Sequence, residues 1–64
     1  MSALSNGLPI AGLEAVFDHL ALTIDQVSAD KRELFLVKLA LLNANAIGDA
    51  ERFQQNVNTA LLNL

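Results

Sequence analysis

The sequence predicts an all-α protein of three short helices, about residues 10–23, 29–47 and 49–62, forming a helical hairpin-type bundle completed by dimerisation. Three observations predict it. Apolar residues recur at spacings of three and four, the helical period. Helix start and stop signals stand at Pro9, at Ser28 to Asp30 and at Gly48-Asp49. The stretch Leu34 to Asp49, LFLVKLALLNANAIGD, is apolar on almost every side of the helix it forms, and such a helix must be covered all round.

Residues 1–8 contain Ser2, Ser5, Asn6 and Gly7 without a sustained period, and read as a flexible arm ahead of a single helical domain at 9–64. Pro9 suits the first turn of a helix, where its missing N–H is not needed. Leu13, Val16, Phe17, Leu20 and Ile24 then fall on one arc of the first helix. Glu14 and Asp18 lie beside that arc and His19 opposite it, so all three face water in a monomer.

Asp25-Gln26-Val27-Ser28 breaks the period. Ser28 or Asp30 can cap the second helix through a side-chain oxygen, and Asp30 with Glu33 has the spacing of a capping box. That helix continues to Ile47. Gly48 can turn left-handed and end it, and Asp49 follows as the cap of the third helix. Phe53, Val57, Ala60, Leu61 and Leu64 form one stripe of that helix, with Gln55, Asn56, Thr59 and Asn63 on its other side. Asparagine is a poor helix former, so this helix depends on packing and its carboxyl end frays.

The middle helix carries two apolar seams: Val37, Ala40, Ala44 and Ile47 on one side, and Phe35, Leu39, Leu42 and Ala46 on another. Lys38 and Asn45 lie between them on one edge, with Leu34 and Leu41 beside them. One seam can receive the flanking helices; the other has no cover within the chain. Burying three or four such side chains is worth about 1.5–3 kcal/mol each, comparable with the whole ~3–5 kcal/mol a core this small supplies. The simplest cover is a second copy, because a two-fold axis lets one patch meet itself. The expected interface is Phe35, Val37, Leu39, Ala40, Leu42, Ala44 and Ile47, and the expected partner is the chain itself or a larger protein.

Composition narrows the function. A chain of 64 residues with 53% hydrophobic content and no cysteine has neither disulfides nor thiolate metal sites to hold it. Seven acidic residues against four basic ones, a formal net charge of −3, argue against nucleic acid and membrane surfaces as partners. The amino terminus has no basic residue ahead of its apolar positions, unlike a secretory signal, and reads as a cytoplasmic start. The run Leu34 to Leu42 is broken by Lys38 and is shorter than the ~20 residues that span a bilayer.

Candidate sites are few. One histidine, no cysteine and no glycine-rich phosphate loop leave no catalytic constellation, and the expectation is a non-enzymatic protein without a cofactor. Glu14 and Asp18 have the i, i+4 spacing of helical metal ligands, with His19 next to them, but a second set could come only from another copy. They read as solvated surface. Lys38 and Asn45, polar in an apolar helix, read as residues that fix register. The alternative is a small-molecule or metal-binding helical module with its pocket beside them at the protomer interface. A helix-turn-helix reading with Gln54, Gln55 and Asn58 as base readers fails because Arg52 is the only basic residue of that helix.

Residues 38–49, K-L-A-L-L-N-A-N-A-I-G-D, resemble the signature of the DUF2783 domain, a family of small uncharacterised bacterial helical proteins, where a helix ends in a pattern like R-L-x-L-L-x-A-N-H-I-G-D. Lys38 stands at the basic position, and Leu39, Leu41, Leu42, Ala44, Asn45, Ile47, Gly48 and Asp49 match. Ala46 departs from it. If the family's histidine there serves a metal or a proton transfer, this chain lacks that function. The resemblance implies a small helical protein of accessory type, encoded beside metabolic enzymes.

Overall fold

Helical period and helix stops together account for nearly all of residues 7–64, which the computed structural model describes, and no strand forms among them. The elements are α1 (Ile10–Gln26), a 3-10 turn (Ala29–Lys31), α2 (Arg32–Ile47) and α3 (Ala50–Ala60). The all-α class read from the sequence is what forms. The amino-terminal arm expected at 1–8 lies, but for its last two residues, outside the described residues.

Pro9 stands one residue outside α1, at its N-cap, with φ −64° and ψ 164°. Its carbonyl accepts the Leu13 N–H at 3.0 Å and so begins the helical ladder. α1 then runs three residues beyond the expected end at 23. The physical reason lies downstream. Arg32 folds back, and its Nε donates to the Ile24 carbonyl at 2.9 Å and to the Val27 carbonyl at 3.0 Å. α1 has no basic residue in its own last turn, so this guanidinium supplies both a donor for terminal carbonyls and the positive charge that a helix C-terminus favours. Val27 leaves the helix with φ −82° and ψ 134°.

The capping box expected at Asp30 and Glu33 does not form, and neither does a side-chain cap from Ser28. Asp30 sits inside the 3-10 turn instead. Backbone replaces side chain at this start: the Lys31 N–H donates to the Ser28 carbonyl at 2.9 Å, and the Arg32 N–H to the Ala29 carbonyl, so the turn feeds directly into α2.

At the other end of α2, Gly48 takes φ 73° and its N–H donates to the Ala44 carbonyl at 3.0 Å, the single-bond left-handed stop. A Cβ on Gly48 would meet nothing within 4 Å, so glycine is needed there for its backbone and not for space. Asp49 is the cap that the sequence predicts. Its Oδ1 accepts the N–H groups of Glu51 at 3.0 Å and Arg52 at 3.2 Å.

α3 ends at Ala60, two residues short of the expectation. The Leu62 N–H donates back to Thr59 in a tighter turn at 3.1 Å, and Asn63 adopts φ 58°, a conformation that asparagine tolerates and that stops a helix.

The chain divides into two units, Met1–Arg32 and Glu33–Leu64. Among the described residues none is fully buried. In the first unit the half-buried apolar side chains Leu13, Leu20, Ile24 and Val27 follow each other at seven, four and three along one narrow line. Val16 and Phe17, expected on the same covered arc, lie at its edges and are exposed, Phe17 by 69%. In the second unit Phe35, Leu39, Ala40, Ala44 and Phe53 are half-buried. The rest of the α3 stripe, Val57, Ala60, Leu61 and Leu64, is exposed.

Candidate functional site

The nine residues singled out on α2 separate into two groups. Phe35, Leu39, Ala40 and Ala44 are half-buried, whereas Val37, Leu42, Ile47, Lys38 and Asn45 are exposed. Shielding therefore does not follow either expected seam. It takes Phe35 and Leu39 from one and Ala40 and Ala44 from the other, leaving Leu42 and Ala46 of the first and Val37 and Ile47 of the second to solvent.

The most exposed leucines of α2 lie on the edge around Lys38; Leu36 and Ile47, on the other side, are exposed less, by 40% and 38%. Leu34, Val37, Lys38, Leu41 and Leu42 recur at three, one, three and one, which puts all five on a single face two turns long. Leu34 is 58% exposed, Leu41 64% and Leu42 69%. Asn45 continues the line one turn further and is also exposed. Leu34 and Leu41, which the sequence places beside this edge and outside the expected interface, are part of the exposed face. Lys38 is the signal for this face: a lysine in the middle of an apolar helix needs its ammonium in water, and the apolar side chains beside it stay exposed with it.

The left-handed stop at Gly48 and the Asp49 cap set the carboxyl end of the helix that carries the row, ending α2 at Ile47 and beginning α3 at Ala50. An exposed face held on a helix with defined ends is a more rigid presentation than the same residues on a loop.

On α1, an open concavity is lined by Ile10, Leu13, Glu14, Phe17 and Asp18. The two carboxylates stand one turn apart, both exposed, with Ile10 78% exposed beside them. His19 is exposed but does not line it. Among the described residues no three histidine or carboxylate groups come together in a way that could hold a metal ion. No described helix is long and apolar enough to cross a membrane.

The described surface thus offers apolar rows with charges set into them: Glu14 and Asp18 on α1, Lys38 on α2. Comparison with family models, with curated proteins and with solved structures finds no match to this chain.

Proposed function

We propose that the chain is a non-enzymatic interaction protein that works as a homodimer or as an accessory subunit of a larger protein, with the solvent-facing side of α2 as its contact surface. The observation that carries this reading is the exposed row Leu34, Val37, Leu41 and Leu42 on one face. Each leucine of that row keeps more than half of its area in water. Covering the row at about 25 cal/mol per Å² of apolar area yields several kcal/mol, of the order of the whole stability a chain this small commands. A partner gains that energy without remodelling the fold.

Lys38 and Asn45 have a role in this reading. The lysine stem packs along the apolar row and sets a charge at its midpoint that a partner must match, and Asn45 offers an amide that a misregistered partner would leave unsatisfied. Both discriminate between registers more than they add affinity. Sedimentation velocity of the wild type and of Leu42→Asp at low micromolar concentration tests the proposal. Association of the wild type that the substitution abolishes, with helicity retained, supports it. A single-copy species of 6.9 kDa that melts cooperatively on its own overturns it.

A further inference from the structure

The exposed rows of α1 and α2 share one spacing and carry opposite charge at the same place. On α1, Ile10, Leu13, Glu14, Phe17 and Asp18 occupy positions 10, 13, 14, 17 and 18. On α2, Leu34, Val37, Lys38, Leu41 and Leu42 occupy 34, 37, 38, 41 and 42, the same intervals of three, one, three and one. In both rows the first, second and fourth members are apolar, and the third is charged: Glu14 in one, Lys38 in the other. Of the ten side chains only Leu13 is as much as half-buried; the others face solvent.

Resting on the reading that the α2 face is a contact surface, we infer that its occupant is the α1 face of a second copy, with Lys38 of each chain set against Glu14 and Asp18 of the other. Three properties of the two rows argue for this occupant. The rows have equal length and share three apolar places, so Ile10, Leu13 and Phe17 can shade three of the four apolar side chains of the α2 row, while the fourth meets Asp18 at the end of the contact. Glu14 and Lys38 each stand midway along their row, so they come opposite one another whether the two helices run parallel or antiparallel. Asp18, one turn from Glu14, is the second carboxylate within reach of a long, flexible ammonium.

The row on α2 meeting itself is disfavoured by the same charges. Lys38 would then face Lys38 at the centre of an apolar contact, and like charges juxtaposed there oppose pairing. A face that carries its own sign of charge at its midpoint calls for a complementary face, and this chain displays one. A two-fold axis relating two copies would make this contact twice, the reciprocal arrangement that the charge exchange below tests.

Charge exchange tests the pairing in the full chain. Lys38→Glu sets three carboxylates together at each contact, and Glu14→Lys with Asp18→Lys sets three ammonium groups together. Each variant alone is expected to self-associate at least about tenfold more weakly than the wild type, the scale of a close charge pair reversed. An equimolar mixture of the two is expected to recover association to within about threefold of the wild type, because both contacts between unlike chains again join opposite charges. Unfolded variants could not recover in this way.

A control variant, Asp25→Lys with Asp30→Lys, reverses two exposed acids elsewhere and has the same net charge as the α1 variant. It keeps both rows, so it should self-associate like the wild type and should not bring Lys38→Glu into association as the α1 variant does. Sedimentation equilibrium of each protein and each mixture reads all of these. If the wild type associates but the charge variants associate equally well, or the control rescues as fully, the α1 row is not the occupant and the α2 contact surface stands with another partner face. Failure of the wild type to associate at any accessible concentration overturns both this pairing and self-association through α2.

Discussion

Arg32 is a single side chain on which the end of α1 depends, and its removal has a calculable effect. Its Nε serves the carbonyls of Ile24 and Val27 at 2.9 and 3.0 Å. One N–H is shared between two acceptors, and the residue is only half-buried, so the pair counts as one charge-assisted hydrogen bond weakened by solvent. That places the loss in Arg32→Met at about 1–2 kcal/mol, at the low end for bonds to charged groups, with the lost charge at the helix C-terminus included. For a chain this short about 1 kcal/mol moves Tm by about 7 °C, so a fall of about 7–15 °C is expected. Thermal melts followed by far-UV circular dichroism measure it, at one fixed protein concentration because association itself adds stability. Arg32→Lys keeps the charge but loses the planar donor and should fall between the two. Lys31→Met, an exposed neighbour of the same sign, should stay within about 0.5 kcal/mol of the wild type. A Tm for Arg32→Met within a degree or two of the wild type would refute the argument that this guanidinium holds the extra turn of α1.

Other substitutions separate local architecture from association. Asp49→Ala removes the acceptor of the Glu51 and Arg52 N–H groups and should cost about 1 kcal/mol in the melt, while Asp49→Ser retains most of the cap. Gly48→Ala meets no atom within 4 Å but forces a Cβ into a left-handed residue, so a loss of about 1–2 kcal/mol is expected, smaller for Gly48→Asn, and read by the same melts. Phe17→Ser, at a side chain 69% exposed, should leave the melt of dilute protein nearly unchanged and weaken self-association measured by sedimentation. Phe35→Ala, half-buried on α2, should do the reverse: it lowers Tm by way of lost packing while the exposed row is intact.

The helical class and most boundaries were legible because they rest on local chemistry. Gly48 and Asp49 illustrate this: a residue without Cβ and a short carboxylate side by side solve a stop and a start without help from the rest of the chain. The end of α1 was not legible, since it involves Arg32, eight residues from the Ile24 carbonyl to which it adds a bond beside that of the Val27 N–H, and no helical period records such a contact. The missing capping box has a related cause. Asp30 and Glu33 have the right interval, but Asp30 is taken into a 3-10 turn whose Lys31 and Arg32 amides bond backbone carbonyls, and spacing alone does not show where the helix start falls.

The excess of apolar surface on α2 could be read from the sequence; which face keeps it could not. Dividing the helix into seams by apolar spacing grouped Leu42 with Phe35 and Val37 with Ala44, yet shielding is set by what stands nearby in space, and it cuts across both groups. Lys38 carried the missing information. Its charge ties one face to water in the single chain, and Leu34, Leu41 and Leu42 are carried there with it. On α1 the same effect places Phe17 outside with Glu14 and Asp18.

Sedimentation equilibrium of the wild-type chain over a concentration series from low micromolar to submillimolar addresses the uncovered apolar row most directly. A mass that rises from 6.9 kDa toward twice that value, and that returns to the single-copy value when Leu41→Asp is introduced with helicity unchanged, is the expected result. A wild-type mass that stays at one copy across the whole series, with a cooperative melt, would mean that the chain leaves this row in water at no cost to its stability and would contradict the account.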